Sequence, residues 1–191
     1  MAMIERNETG AHESRGANEN KFLSFCLGDE QYGVEILRVR EIIGLIAITP
    51  LPQTPAYVRG VMNLRGRIIP VIDLRQRFGL QPIEATKETC IIVLEASDAD
   101  GAQTVMGAIV DSVREVQDIP KSAIEPAPEF GCEIPLRYIL GMGKVKDREG
   151  EKVVVLLDIG EVIGMRERAQ IAGAIKDAAG AKGAASERVA A

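Results

Sequence analysis

The sequence predicts a mainly β protein of barrel or sandwich type, with helix confined to short pieces. Residues 21–164 break into short apolar, β-branched runs separated by Gly, Asp, Asn and Pro turn signals. Helical spacing appears only at residues 36–43, 73–78 and 159–163. One strand-to-helix unit also occurs twice, at 66–74 and 150–159. Each copy carries a turn glycine, a buried apolar strand and an Asp (Asp73, Asp158) able to cap the helix that follows. Two copies of one unit imply two related β subdomains.

Taken in order, Phe22-Leu23-Ser24-Phe25-Cys26-Leu27 alternates as a strand, Gly28-Asp29 supplies a turn, and residues 31–34 return. The segment 36–43 places Ile36, Val39 and Ile43 at helical spacing and reads as a short helix. A short segment leads to Gly60. Val61-Met62 then meets an Asn63-Leu64-Arg65-Gly66 turn, the strand 67–72 follows, and Asp73 opens a helix that Gly79 ends. Pro70 lacks an N–H and is expected on an edge or at a bulge. Strands are expected at 89–94 and 104–110, joined by a hairpin connection at 97–101, and extended chain at 113–119. The runs 138–145 and 152–157 bracket a polar turn at 146–150.

Composition excludes several classes. With 191 residues, 46% of them apolar, the chain can bury a core as one domain or two small intimate ones. A net charge of −5 with interspersed signs leaves no basic footprint for nucleic acid. The longest apolar run, 153–157, is strand-sized and falls short of the roughly 18–20 residues of a membrane helix. The polar, acidic start lacks the pattern of a secretory signal, so a cytoplasmic location is expected and Asn7-Glu8-Thr9 is a chance glycosylation match. Cys26, Cys90 and Cys132, odd in number and widely spaced, read as reduced and mostly buried. Three zones follow: a disordered head at 1–20, the folded domain at 21–164, and an Ala/Gly-rich tail at 165–191 expected as a frayed helix running into disorder.

A search for chemistry ends without a catalyst. His12 is the sole histidine and lies in the head, so no Ser-His or Cys-His nucleophile can form within the fold. No spacing fits a zinc site, and neither metal nor cofactor is expected. Gly141-Met142-Gly143-Lys144 lacks the first glycine and the Ser/Thr of a phosphate loop, since Val145 follows, and reads as a glycine-kinked strand. Asp98, Asp100, Glu125 and Glu129 read as solvated loop charges. A nucleotide-dependent enzyme would shift in melting temperature with ATP or GTP, and no shift is expected.

What remains is surface. Beyond the 36–43 stripe, Leu37, Ile42, Leu45 and Ile46 are apolar too, more than one face of a short element can hide, so some are expected to form a binding patch. Arg65, held between glycine-punctuated strands, is either a solvated turn residue or an anchor for a partner's carboxylate or carbonyls.

The central block Gly60-Val61-Met62-Asn63-Leu64-Arg65-Gly66-Arg67-Ile68-Ile69-Pro70-Val71-Ile72-Asp73-Leu74 resembles the CheW-like coupling proteins of bacterial chemotaxis. So do Phe22-Leu23-Ser24-Phe25, Gly28-Asp29-Glu30-Gln31-Tyr32-Gly33, Ile36-Leu37-Arg38-Val39-Arg40-Glu41-Ile42, Val110-Asp111-Ser112-Val113, Pro126-Ala127-Pro128-Glu129-Phe130 and Leu157-Asp158. The resemblance covers about residues 21–164. It implies two small five-stranded SH3-like β-barrels packed about a shared hydrophobic core, with short helices.

It also implies a non-enzymatic scaffold that binds the cytoplasmic tips of chemoreceptors and the regulatory domain of the histidine kinase CheA. Kinase contact maps onto Leu23, Ile36 and Val39. Receptor contact maps onto Val39, Glu41, Gly60 and Arg65, in and beside a groove between the barrels. Such a protein acts in the cytoplasm, recruited to receptor arrays at the inner face of the membrane. CheA would need a kinase domain and a phosphoacceptor His, and CheV a receiver domain; the short tail leaves room for neither. The rival is a CheW-like adaptor of another chemosensory-type array, for surface motility or development.

Overall fold

The computed structural model describes residues 20–97, 103–128, 134–147 and 150–164, together with Gly173. Expectations for the head before Asn20, for the tail, for the connection at 98–102 and for Glu129, Phe130 and Cys132 lie outside the described residues.

Eleven strands are described: β1 (Lys21–Leu27), β2 (Glu30–Glu35), β3 (Val39–Gly44), β4 (Val58–Leu64), β5 (Arg67–Asp73), β6 (Cys90–Ser97), β7 (Gln103–Val110), β8 (Ser112–Asp118), β9 (Ile124–Glu125), β10 (Ile139–Asp147) and β11 (Gly150–Leu157). Two single-turn helices follow β5 and β11: α1 (Leu74–Arg77) and α2 (Ile159–Val162). The strands make a six-stranded sheet, β8-β1-β2-β11-β10-β9, and a five-stranded sheet, β3-β6-β7-β5-β4. The second sheet is one continuous stretch of chain. The first is assembled from both ends, the β1–β2 hairpin joining β8–β11.

Each sheet wraps a small apolar core of its own. Met62, Ile69, Val71, Ile91 and Val93 fill the second, and Phe22, Ile119, Val154 and Leu156 the first. Between them lies a larger shared core. It takes Leu23, Phe25 and Tyr32 from one sheet and Ile72, Ile92 and Met106 from the other. An aromatic run crosses it, Phe25–Tyr32–Phe78–Tyr138, with successive ring centroids 5.9, 5.6 and 6.3 Å apart. The expected pair of β units about a shared core is therefore present, built from five and six strands.

The strand-to-helix echo is the visible part of an internal two-fold. Asp73 and Asp158 both cap their helices, accepting from the backbone N–H of Gln76 and Glu161 at 3.2 Å. Both hairpins, β4–β5 and β10–β11, carry a register shift just before a glycine, Gly60 and Gly141. Both second strands then pair in parallel, β5 with β7 at Gly107 and β11 with β2 at Gly33. The two glycines are close-approach sites. A Cβ at Gly107 would meet Ile91 at 2.7 Å, and one at Gly33 would meet Leu156 at 2.9 Å. Carried through the registers, the two-fold sets Val39-Arg40-Glu41-Ile42 of β3 over Val113-Arg114-Glu115-Val116 of β8.

Four expectations need correction. Residues 36–43 are not a helix. A 3-10 turn, Ile36–Arg38, runs directly into β3, whose side chains alternate half-buried and exposed against β6. Val39, Ile42 and Ile43 are β-branched, and their backbone groups find partners on β6 rather than within a local turn. Periodicity over eight residues could not separate the two states.

Pro70 lies neither on an edge strand nor at a bulge. Its partner Val61 sends its N–H and C=O to Thr49 instead, and the parallel ladder to β7 starts one residue later, at Val71. The missing N–H thus breaks no ladder bond. Glu125 stands on β9 rather than in a loop, 2.7 Å from the Lys144 ammonium, which this bond raises above its usual pKa. Cys26 and Cys90 are free and half-buried rather than mostly buried.

Candidate functional site

The candidate site lies on the seam of the five-stranded sheet. β3 and the β4–β5 hairpin stand at opposite ends of its strand order, yet Arg65 Nη2 donates to Glu41 Oε2 at 2.9 Å. The sheet therefore curls until its two ends meet, and this ion pair spans the meeting line.

Local chemistry sets each partner. Leu64 pairs with Arg67, leaving a two-residue turn whose central residues, Arg65 and Gly66, both have positive φ (51° and 86°). That is the turn whose twist suits a β-hairpin. Asn63 Oδ1 accepts from the Gly66 N–H at 2.8 Å and holds it. Arg65 is 79% exposed even with Glu41 engaged, so most of its donor fork faces solvent. Glu41 stands on β3 opposite Val93. Its neighbour Arg40 donates to Glu95 at 2.8 Å, a bond that holds the Glu95 carboxyl below its usual pKa and raises that of Arg40.

Gly60 contributes through the backbone. Its φ is +133°, and a side chain there would run into the Thr49 carbonyl. Thr49 and Val61 exchange two backbone hydrogen bonds of 2.8 Å, which pin the 45–57 connection against β4. Gly60 is therefore needed for this close approach and presents no side chain to a partner.

The structure brings together Val39, Glu41, Gly60 and Arg65 on one sheet, the first two on β3 and the others on the β4–β5 hairpin. Ile36 and Val39 are half-buried against the shared core. Leu23 is only 3% exposed, inside that core, and can support this face only from beneath. The four additional apolar residues, Leu37, Ile42, Leu45 and Ile46, are all exposed but do not form one patch. Ile42 follows Glu41 on β3, whereas Leu45 and Ile46 line a cavity with Arg59, Arg75 and Asp111.

Sequence reasoning missed a second set of charges. Arg75 Nη1 donates to Asp111 Oδ2 at 2.5 Å, Asp111 also accepts from the Gly28 N–H at 2.7 Å, and Arg59 reaches Asp73 at 3.4 Å. Arg59, Asp73, Arg75 and Asp111 are among the residues that line a cavity of about 330 Å3. Arg77 lies 4.5 Å over the Tyr57 ring and 5.1 Å over Tyr138, tying the two units together. No sequence spacing announces such contacts. Among the described residues no cluster of His, Cys, Asp and Glu could hold a metal ion.

The CheW-like domain model matches residues 21–167, most of the chain. The chain belongs to the CheW-like domain family. It is 38% identical to the chemotaxis protein CheW of Klebsiella aerogenes over 79% of this chain and 86% of that one. It is 35% identical to CheW of Helicobacter pylori over 83% of this chain and 91% of that one. Among solved structures it resembles the scaffolding protein TtCheW of Thermoanaerobacter tengcongensis, with a TM-score of 0.66, 34% identity, and coverage of 78% of this chain and 95% of that one. These names support a CheW-type adaptor of chemotaxis, and the two β units match the CheW fold.

Proposed function

We propose that this CheW-like chain is a non-enzymatic coupling scaffold. It joins the cytoplasmic tips of chemoreceptors to the regulatory domain of the histidine kinase CheA. The observation that supports the reading best is the surface itself. Exposed Leu37 and Ile42 stand on the segment that carries Glu41, the carboxylate partner of the largely solvent-facing Arg65, and among the described residues no catalytic constellation accompanies them. Apolar contacts ringed by a bidentate-capable guanidinium are the chemistry of a protein interface.

Kinase contact uses Ile36 and Val39, with Leu23 buttressing them from the shared core; receptor contact uses Val39, Glu41 and Arg65, with Gly60 holding the backbone beside them. Coupling is by docking alone, with no bond made or broken. The protein acts in the cytoplasm and reaches the membrane through the receptors. Among the described residues no helix is long and apolar enough to cross it.

Calorimetry with the regulatory domain of a CheA from the same organism tests this. Wild type is expected to bind, Ile36→Asp to lose binding, and Arg65→Glu largely to retain it, with melting curves confirming that each variant folds. A folded wild type that does not bind rejects that kinase as the partner.

A further inference from the structure

The internal two-fold gives each residue around the shared core a counterpart, and three charged residues have counterparts of opposite character. Arg59 and Leu140 each immediately precede the glycine after a register shift. Arg75 and Gly160 each stand two residues beyond a capping aspartate. Asp111 and Leu37 each stand two residues before a Val-Arg-Glu triplet. One backbone frame therefore carries Arg, Arg and Asp on one side and Leu, Gly and Leu on the other.

The two sides differ accordingly. On the charged side, the Arg75–Asp111 bond is reinforced by Gly28, and Arg75 Nε donates to the Gln81 carbonyl at 3.0 Å. Arg59 and Asp73 add a second ion pair to the lining, which also holds the exposed Glu84, while Leu45, Ile46 and Ile83 are among its apolar residues. On the other side Leu37 and Leu140 are 56% and 47% exposed, and Gly160 adds no bulk.

We propose that Arg59, Arg75 and Asp111 are specificity determinants. By filling one cleft with paired charge they confine an apolar helical partner to the side of Leu37 and Leu140, and make the scaffold monovalent for it. The proposal rests on the reading that chemoreceptor tips dock in the groove between the two β units. An apolar helix laid over the charged side would strip water from Arg75, Asp111 and Arg59 without offering them new partners. That desolvation outweighs what contact with the apolar lining returns. On the other side the same helix meets leucine, with the Asp158 carboxylate, which already accepts from the Glu161 N–H, in place of two ion pairs.

The test is calorimetric stoichiometry, with a helical-hairpin fragment of a chemoreceptor tip titrated into wild type and into the triple variant Arg59→Leu, Arg75→Gly, Asp111→Leu. The variant copies the residues of the open side onto the charged one. One site per chain is expected in wild type and two in the variant, the second within about tenfold of the first. One site in both proteins, with the variant melting cooperatively, overturns the proposal and leaves the docking reading standing. No site in wild type rejects both. Asp111 also holds Gly28, so Arg59→Leu alone is measured in parallel, since it leaves the Arg75–Asp111 bond and the Asp73 cap in place. A weaker second site is expected there. Should the triple variant fail to fold, absence of that second site at fragment concentrations about a hundredfold above the first Kd overturns the proposal.

Discussion

Replacing Gly60 by alanine should damage this protein far more than a methyl group suggests. The new Cβ would stand 2.0 Å from the Thr49 carbonyl oxygen, 2.7 Å from its carbon and 2.8 Å from the Pro50 Cα. All three are backbone atoms, so no side chain can swing aside, and the 45–57 connection must leave β4. Two Thr49–Val61 hydrogen bonds of 2.8 Å go with it, at about 1 kcal/mol each. Alanine would also have to hold a φ of +133°, which adds about 1–3 kcal/mol. The sum is about 3–5 kcal/mol, a large fraction of the roughly 5–15 kcal/mol by which a domain is stable. It corresponds to a fall in Tm of about 6–20 °C for a domain of this size.

Gly66→Ala is the control. Its φ is also positive, at 86°, but nothing lies within 4 Å of the new methyl, so only the left-handed backbone term of about 1–2 kcal/mol applies. Urea unfolding of both variants decides the matter. If Gly60→Ala loses no more than Gly66→Ala, the clash with Thr49 is absent in solution and the account of Gly60 is wrong. If it holds, loss of partner binding in Gly60 variants follows from release of the 45–57 connection, and Gly60 need touch no partner.

Three further outcomes are expected. Arg65→Glu places a like charge beside Glu41, but Arg65 is 79% exposed, so stability should move by no more than about 1 kcal/mol; Arg75→Met, which strips Asp111 of a partner in a largely buried pair, should cost about 3 kcal/mol or more, the two being compared by chemical denaturation. Glu95 has a folded pKa below its ordinary 4.5 because Arg40 donates to it, so its stabilising contribution is fully present above about pH 4.5 and is lost as pH falls through the lower folded value. The Tm difference between wild type and Glu95→Gln should accordingly shrink in acid, and one that grows in acid would contradict the sign. Removing residues 1–35 deletes β1 and β2 and the buried side chains of Phe22, Leu23, Phe25, Leu27, Tyr32 and Val34, each contributing about 1.5–3 kcal/mol; the remainder should show no cooperative unfolding by calorimetry.

How much of this could be read from sequence depended on how local the determinant was. The hairpin at Gly28-Asp29, the Arg65-Gly66 turn and the Asp73 and Asp158 caps are set by residues within four positions of each other, and all were legible. The 36–43 segment was misread because its state depends on Ile91, Ile92, Val93 and Leu94, some fifty residues away, which supply its hydrogen-bond partners. Pro70 was misplaced for a similar reason. An interior strand tolerates it only because Val61 has turned to Thr49, a tertiary fact. Of the site, Val39, Glu41, Gly60 and Arg65 were named from the family resemblance, but the seam that joins Glu41 to Arg65 across opposite ends of a sheet has no signature in spacing. The triplets at 39–41 and 113–115 were a signal that could have revealed the full two-fold, since each occupies an edge strand at the same register.

The two-fold also bears on how an adaptor can hold two partners apart. A repeat that kept its symmetry would offer each partner two equivalent sites, and two partners would compete for both. Here the symmetry survives where it makes the fold: glycines at 33 and 107, bulges before 60 and 141, caps at 73 and 158. It fails outside the core, where Glu95 faces Arg40 but Cys26 faces Arg114, and where Arg59 and the largely buried Arg75–Asp111 pair oppose Leu140, Gly160 and Leu37. Core positions cannot diverge without loss of packing. Exposed positions such as Arg40 and Arg59 can change charge at a cost within about 0.5 kcal/mol, and the largely buried Arg75 and Asp111 can change only together. A duplicated barrel can therefore acquire two distinct faces with little change in stability, and the shared core between them keeps those faces in a fixed relation.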